Sequence, residues 1–279
     1  IPPLSEQNPA LAKKVNVEGT RNLLEAARSL SNPPKFIAAS SVSVHGPRMH
    51  LEPACSEDDP LCPTDHYSHT KVEVEEMIKE SGLPWMILRL GAVSIPEVPT
   101  KMDSLYMLYE VPLDQRIEFI DSRDAGLAFA NAVSCEEAIN EVLMVGGGKE
   151  NGCQIYQRDF VEGMFEALGV PMIPDTAFRS PKRDDEWFYT DWMDTKRSQE
   201  LLQYQNHSFR DYIEELKSKA KLRRFGTKLV SPLVKLTLLM SSPYYKFGKH
   251  PEVKVDLEDF WYLKSLFDEN ADRIAALQE

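Results

Sequence analysis

Tyr67 and Lys71, in the run Tyr67-Ser68-His69-Thr70-Lys71, carry the strongest chemical signal in the sequence. On a helix, residues four apart share a face about one turn from each other. An ammonium in that position favours ionisation of the phenol. A phenol tuned toward neutrality can then pass a proton to or from a carbinol or carbonyl oxygen. The spacing alone does not decide, because Tyr245 and Lys249 repeat it in a basic stretch near the end of the chain. Context separates the two pairs. Upstream of Tyr67, the apolar run Phe36-Ile37-Ala38-Ala39 ends in hydroxyls at Ser40, Ser41 and Ser43. Ligands of open α/β sheets sit at the carboxyl ends of strands, so Ser41 is placed to donate a hydrogen bond to a reacting oxygen. Ser40 and Ser43 read as hydroxyls bonded to backbone.

For these residues to meet, a strand, a loop and a helix must follow one another. The pattern predicts a helix over Asn8–Leu30, ended by Asn32-Pro33-Pro34, then a buried strand over Lys35–Ser40. A long polar loop, Val42–Thr64, leads to a helix over Asp65–Ser81, and Pro84–Leu90 is a second buried strand. Arg116–Ile120 and Glu141–Val145 read as further strands around a helix over Ser122–Val133. Strands alternating with helices imply a parallel sheet with helices on both faces. After Gly148 the pattern turns helical, over Arg158–Leu168, Thr195–Leu202, Phe209–Phe225, Ser231 to about Met240, and Asp256–Leu277. The expected architecture is therefore α/β: the later part of a doubly wound, Rossmann-type domain over residues 1–150. A smaller, mainly helical lobe and tail occupy 151–279.

Composition narrows the function classes. A formal net charge of −12 argues against general nucleic-acid binding, which needs a basic surface. The four cysteines form no Cys-x-x-Cys pair, and with His66 and His69 they match no zinc spacing, so no metal site and a reducing compartment, the cytoplasm, are expected. Residues 216–250 hold nine Lys/Arg and no Asp/Glu. With Leu229, Leu233, Leu236 and Met240 on one face, that stretch fits either a membrane-surface helix or a packed helix with a solvated basic edge. Asp121 and Asp124 read as caps of the following helix, Arg89 as a partly buried ion-pair partner, and Trp187, Tyr189 and Trp192 as packing between lobe and sheet.

Four motifs in order, Asn16-Val17-Glu18-Gly19-Thr20-Arg21-Asn22-Leu23-Leu24-Glu25-Ala26-Ala27, Ser40-Ser41-Val42-Ser43-Val44-His45-Gly46, Ser56-Glu57-Asp58-Asp59-Pro60 and Tyr67-Ser68-His69-Thr70-Lys71, resemble the extended short-chain dehydrogenase/reductases, the NAD-dependent epimerase/dehydratase family. Asp121-Ser122-Arg123-Asp124-Ala125-Gly126 extends the similarity more loosely toward Gly148. The resemblance implies an NAD- or NADP-dependent oxidoreductase or epimerase/dehydratase acting on a hydroxyl or carbonyl of a small molecule. Ser41 would polarise the substrate oxygen, and Tyr67 would be the acid/base. Lys71 would bind the nicotinamide ribose and lower the phenol's pKa. Ser40, Leu90 and Gly91 would line the cofactor; for Asn16, cofactor contact and a structural bond inside the helix remain open. A homodimer through the helix bearing Tyr67 is implied by the same analogy.

Two departures accompany it. None of the 13 glycines forms the Gly-rich turn that presents a helix N-terminus to a pyrophosphate. The first strands and phosphate loop of such a domain are therefore expected to be missing, and the chain as given to bind cofactor weakly. Sugar-nucleotide members also carry an Asn soon after the strand-end Arg, where Arg89-Leu90-Gly91-Ala92 has none; other alcohols and carbonyls stay open. The alternative is a non-catalytic structural or redox-sensing subunit.

Overall fold

The computed structural model describes residues 2–97, 105–221 and 231–245. Three parallel strands, β1 (Phe36–Ser41), β2 (Trp85–Leu90) and β5 (Glu141–Val145), form one sheet in the order β1-β2-β5. Ser41 pairs with Leu90, and Leu90 with Val145, so the three strands end level with one another. A second sheet has β4 (Arg116–Asp121) at its centre, parallel to β3 (Ala92–Ser94) and antiparallel to β6 (Gln154–Tyr156). Neither β3 nor β6 shows in the sequence pattern. Each has three residues, too few for alternation to register. The β4–β6 pairing also carries the sheet past residue 150.

Alternation along β2 explains the layering. Met86 and Leu88 face α6 (Ser122–Ser134), packing on Ala125, Ala128 and Ala132. Ile87 faces the other way, onto Leu24 and Ala27 of α3 (Gly19–Arg28) and Val74 and Ile78 of α4 (His66–Lys79). Burying an aliphatic side chain of this kind contributes roughly 1.5–3 kcal/mol. The first helical stretch runs as α1 (Pro2–Gln7), α2 (Pro9–Lys13), a π turn (Lys14–Glu18) and α3. The expected helix over Asn8–Leu30 is thus present, with Asn8 capping it, but it widens at Asn16. The apolar side chains Leu11, Val15 and Leu23 on this stretch lie exposed.

The lobe contains α5 (Leu105–Glu110), α7 (Gln157–Leu168), α8 (Lys196–Leu202), α9 (Phe209–Lys219) and α10 (Ser231–Ser241). α10 docks through Leu238 and Leu239, while Met240, expected on the apolar side, is exposed. The Tyr109 hydroxyl donates to the Leu238 carbonyl at 2.6 Å. The Asp256–Leu277 helix and Lys249 lie outside the described residues. Among the described residues no helix is long and apolar enough to cross a membrane.

Candidate active site

The site is built by one strand–turn–helix unit. β1 ends at Ser41, which has extended backbone geometry and whose hydroxyl accepts from the Ser43 backbone N–H at 3.2 Å, opening a tight 3-10 turn over Val42–His45. Gly46 closes that turn with φ +68, and any side chain there would collide with the Cys62 carbonyl. The loop therefore doubles back on the turn, with the Cys62 N–H donating to the Val44 carbonyl at 2.9 Å. Three residues later, Asp65 caps α4 by accepting from the Ser68 N–H at 2.7 Å, in a reciprocal capping box with the Ser68 hydroxyl. The Glu6 carboxylate takes a further free N–H of that helix end, at His66, 2.8 Å away. This fixed start delivers Tyr67 one residue into the helix and Lys71 one turn further.

The structure brings Ser41, Tyr67 and Lys71 together. The Ser41 side chain lies near enough to the Tyr67 phenol to hold its pKa down against burial. The Lys71 ammonium lies 5.6 Å from the centre of the Tyr67 ring. It also donates to the Ala39 carbonyl of β1 at 2.8 Å. Burial pushes the phenol above its ordinary pKa, Ser41 pulls it back, and the Asp65 charge raises it. Burial also lowers the Lys71 ammonium, against the raising effect of Glu75. The expected lowering of the phenol by Lys71 is thus not what this arrangement gives: desolvation outweighs an ammonium turned toward a carbonyl. The resting phenol is protonated.

Other expected residues fall differently. The Asn16 amide donates to the Thr70 hydroxyl at 2.9 Å, a structural bond from the π turn to α4 beside Lys71. Ser40 does not bond backbone; it faces α4, buried, and its hydroxyl donates to Glu75 Oε1 at 2.6 Å. Ser43 Oγ is buried without a hydrogen-bond partner, so it too departs from the backbone-bonding expectation. Leu90 and Gly91 follow the strand end level with Ser41, and a side chain at Gly91 would strike the Glu118 carbonyl. Arg89 is fully buried in a two-pronged ion pair with Glu75, at 3.0 and 2.7 Å. Asp121 caps α6 as expected, accepting from the Arg123 N–H. Asp124 does not: it is buried and accepts from the His207 ring at 2.6 Å and from the Asn206 and His207 N–H groups. Trp192 packs on Tyr156, and its indole N–H donates to the Ile155 carbonyl.

Sequence reasoning missed Glu75, Glu118 and Asp191. Glu75 had a readable signal, lying at i+4 from Lys71 and therefore on its face. Glu118 accepts from the Gly148 N–H, the Met193 N–H and the Gln154 amide, and burial raises its pKa to about 7. Among the described residues no cluster of His, Cys, Asp and Glu could hold a metal ion.

With the geometry in place, the comparisons can be read. The model of the NAD dependent epimerase/dehydratase family matches residues 2–109. The matched segment covers 108 of the 279 residues, somewhat over a third of the chain. It contains β1, the Val42–His45 turn, α4 and β2, and so the whole of the Ser41–Tyr67–Lys71 unit. The fold extends further. A UDP-glucuronic acid 4-epimerase from Bacillus cereus, solved with UDP-glucuronic acid and NAD, is 24% identical with a TM-score of 0.60, over 75% of this chain and 68% of that one. A UDP-glucose 4-epimerase from Thermotoga maritima is 20% identical, TM-score 0.60, over 81% and 74%. A short-chain dehydrogenase/reductase superfamily protein from Agrobacterium tumefaciens, solved with NAD, is 20% identical, TM-score 0.62, over 78% and 76%. No curated protein matches the chain.

Proposed function

We propose that the protein is an NAD(P)-dependent oxidoreductase or epimerase/dehydratase acting on a hydroxyl or carbonyl of a small molecule. Tyr67 would be its acid/base, Ser41 the group that polarises the substrate oxygen, and Lys71 the anchor of the nicotinamide ribose. The observation that carries this reading is the meeting of a strand-end hydroxyl, a phenol and an ammonium at the carboxyl end of a parallel sheet. Neighbours of the same fold solved with NAD support the cofactor class.

The residues present fit the nicotinamide end of such a cofactor. Lys71 has three N–H donors and directs one to Ala39, which leaves donors for ribose hydroxyls. Leu90 and Gly91 lie level with Ser41 to line the ring. The pyrophosphate end has no Gly-rich turn in this sequence. When bound, the cofactor would supply a hydride acceptor or donor. The protein's own part is proton traffic. The Tyr67 hydroxyl, protonated at rest, gives its proton to a substrate oxygen as that oxygen gains negative charge, while the Ser41 hydroxyl steadies it. In the opposite direction the phenolate takes the proton back. NAD versus NADP is read by calorimetric titration of both cofactors into the protein and into Lys71→Met. Weaker binding of the preferred one to the variant supports the anchor, and equal binding removes it.

The exposed Leu11, Val15 and Leu23 support a homodimer. Peripheral membrane contact through 216–250 rests on the basic charge of that segment, since α10 commits Leu238 and Leu239 to the lobe core.

A further inference from the structure

Behind Ser41 and Tyr67 lies a closed set of buried polar side chains that the acid/base chemistry does not use. Ser40, His45, Glu75 and Arg89 are all at least nine-tenths buried. Both Glu75 oxygens are engaged: Oε1 accepts from Ser40 at 2.6 Å and Arg89 Nε at 3.0 Å, and Oε2 accepts from Arg89 Nη2 at 2.7 Å. Lys79 approaches Oε2 from solvent at 3.6 Å. Arg89 Nη1 reaches His45 Nε2 at 3.1 Å and the Glu57 carbonyl at 3.1 Å. His45 Nδ1 lies 3.1 Å from the Pro60 carbonyl.

The chemistry of these partners fixes the protons. A carbonyl only accepts, so the His45 hydrogen sits on Nδ1; a guanidinium only donates, so Nε2 is bare. His45 is therefore neutral, in keeping with a pKa that burial and the Arg89 charge bring down to about 4. Each member belongs to an arm of the site. Ser40 adjoins Ser41. His45 ends the turn that Ser41 opens. Pro60 lies on the loop leading to the Asp65 cap. Glu75 stands one turn beyond Lys71 and two beyond Tyr67 on the same helix.

We propose that Glu75 is a positioning residue of this site: through Ser40 and Arg89 it clamps α4 against the strand end so that Tyr67 faces Ser41, and it sets a carboxylate on the Lys71 face of that helix. The inference rests on the reading of Tyr67 and Lys71 given above. A purely structural pair would serve as well if replaced by apolar groups of similar volume. The position of Glu75 on the Lys71 face, with Ser40 bridging to the strand, gives its carboxylate a second task. The groups facing that carboxylate are Arg89, Lys79 and Ser40; those acting on Lys71 are Glu75 and the Tyr67 ring.

The test needs no turnover. The titration of Lys71 is followed by NMR of its ε-methylene in the full chain, the signal being assigned by its loss in Lys71→Met. In Glu75→Gln the Lys71 proton should bind about tenfold more weakly, the effect of losing the opposite charge one turn along the helix face. Glu75→Asp should recover at least half of that loss, and Glu76→Gln, which removes an exposed charge next door, should change little. An unchanged Lys71 titration in folded Glu75→Gln, or an equal change in Glu76→Gln, overturns the proposal. If Glu75→Gln does not fold, Glu75→Asp decides alone: a smaller weakening upholds the proposal, and a wild-type titration overturns it. Loss of turnover in Tyr67→Phe concerns the enzyme reading and is measured separately.

Discussion

Two buried ion clusters hold this molecule, and they balance charge in opposite ways. Glu75 and Arg89 meet in an aligned fork, with Ser40 adding a third donor, and these hydrogen bonds hold the carboxyl below its usual range despite burial. At the lobe, Asp191 sits between Arg116 and Arg48, yet burial wins and its carboxyl is raised. Geometry accounts for the difference. Arg116 Nη2 donates to Asp191 Oδ2 at 3.1 Å and the Trp192 N–H to Oδ1 at 2.8 Å. Arg116 Nε, 2.7 Å away, and Arg48 Nε, 3.5 Å away, make no aligned hydrogen bond, so the two guanidiniums together offer a single aligned donor where Arg89 offers two. Distance gives Coulomb attraction; alignment is what replaces the lost hydration. The first cluster joins a β–α–β unit at the proposed site. The second joins the long loop to the lobe, with Arg116 Nη2 also donating to the Arg48 and Leu51 carbonyls.

The comparison is broken most forcefully at Arg89. Arg89→Met strands the Glu75 charge and should cost about 3–5 kcal/mol in urea unfolding, whereas Glu75→Leu with Arg89→Met should recover most of it. Asp191→Asn keeps an acceptor beside Arg116, so a smaller loss is expected, about 1–3 kcal/mol. Equal losses at the two sites would erase the distinction between the fully aligned cluster and the partly aligned one.

The next largest effect is a pH dependence. Glu118, its pKa raised from 4.5 to about 7, holds its proton more tightly folded than unfolded. Its contribution is complete below pH 4.5 and is lost as pH rises through about 7, amounting to about 3 kcal/mol at 1.36 kcal/mol per pH unit. His45, lowered from 6.5 to about 4, works the other way: its contribution is present above pH 6.5 and is lost as pH falls toward 4. The two slopes oppose each other between pH 4.5 and 6.5. Urea unfolding from pH 4 to 8 should therefore show Glu118→Gln without the alkaline decline and His45→Gln without the acid one. The smallest effect belongs to the outer link of the second cluster. Asp59 is 30% exposed and bridges Arg48 to the Ser56 N–H, so Asp59→Asn should lower stability by only about 1 kcal/mol, read as a small drop in Tm.

Legibility follows the same division. Tyr67, Lys71 and Ser41 could be read because each lies in an element with a local signature: an Asp cap before α4, an apolar run before the hydroxyls. Arg89 was legible as a buried partner because a cation at the end of an apolar strand must find an anion. Asp191, Glu118 and the Asp124–His207 contact were not, since their partners lie 75, 75 and 83 residues away and no periodicity links them. Asp124 looked like a cap because its position suits one, while its true partner belongs to another region. The phenol's ionisation was misjudged for a related reason. Spacing reveals that Lys71 is near, but not that burial outweighs it or that its ammonium is turned to Ala39.

The most direct test of the central claim is turnover of Tyr67→Phe, followed by nicotinamide absorbance with NAD or NADP across a panel of alcohols, carbonyls and UDP-sugars. The account predicts that any activity of the wild-type protein falls at least about a hundredfold in the variant, the scale of a lost acid/base group, while cofactor affinity is kept. Undiminished turnover in Tyr67→Phe would contradict it.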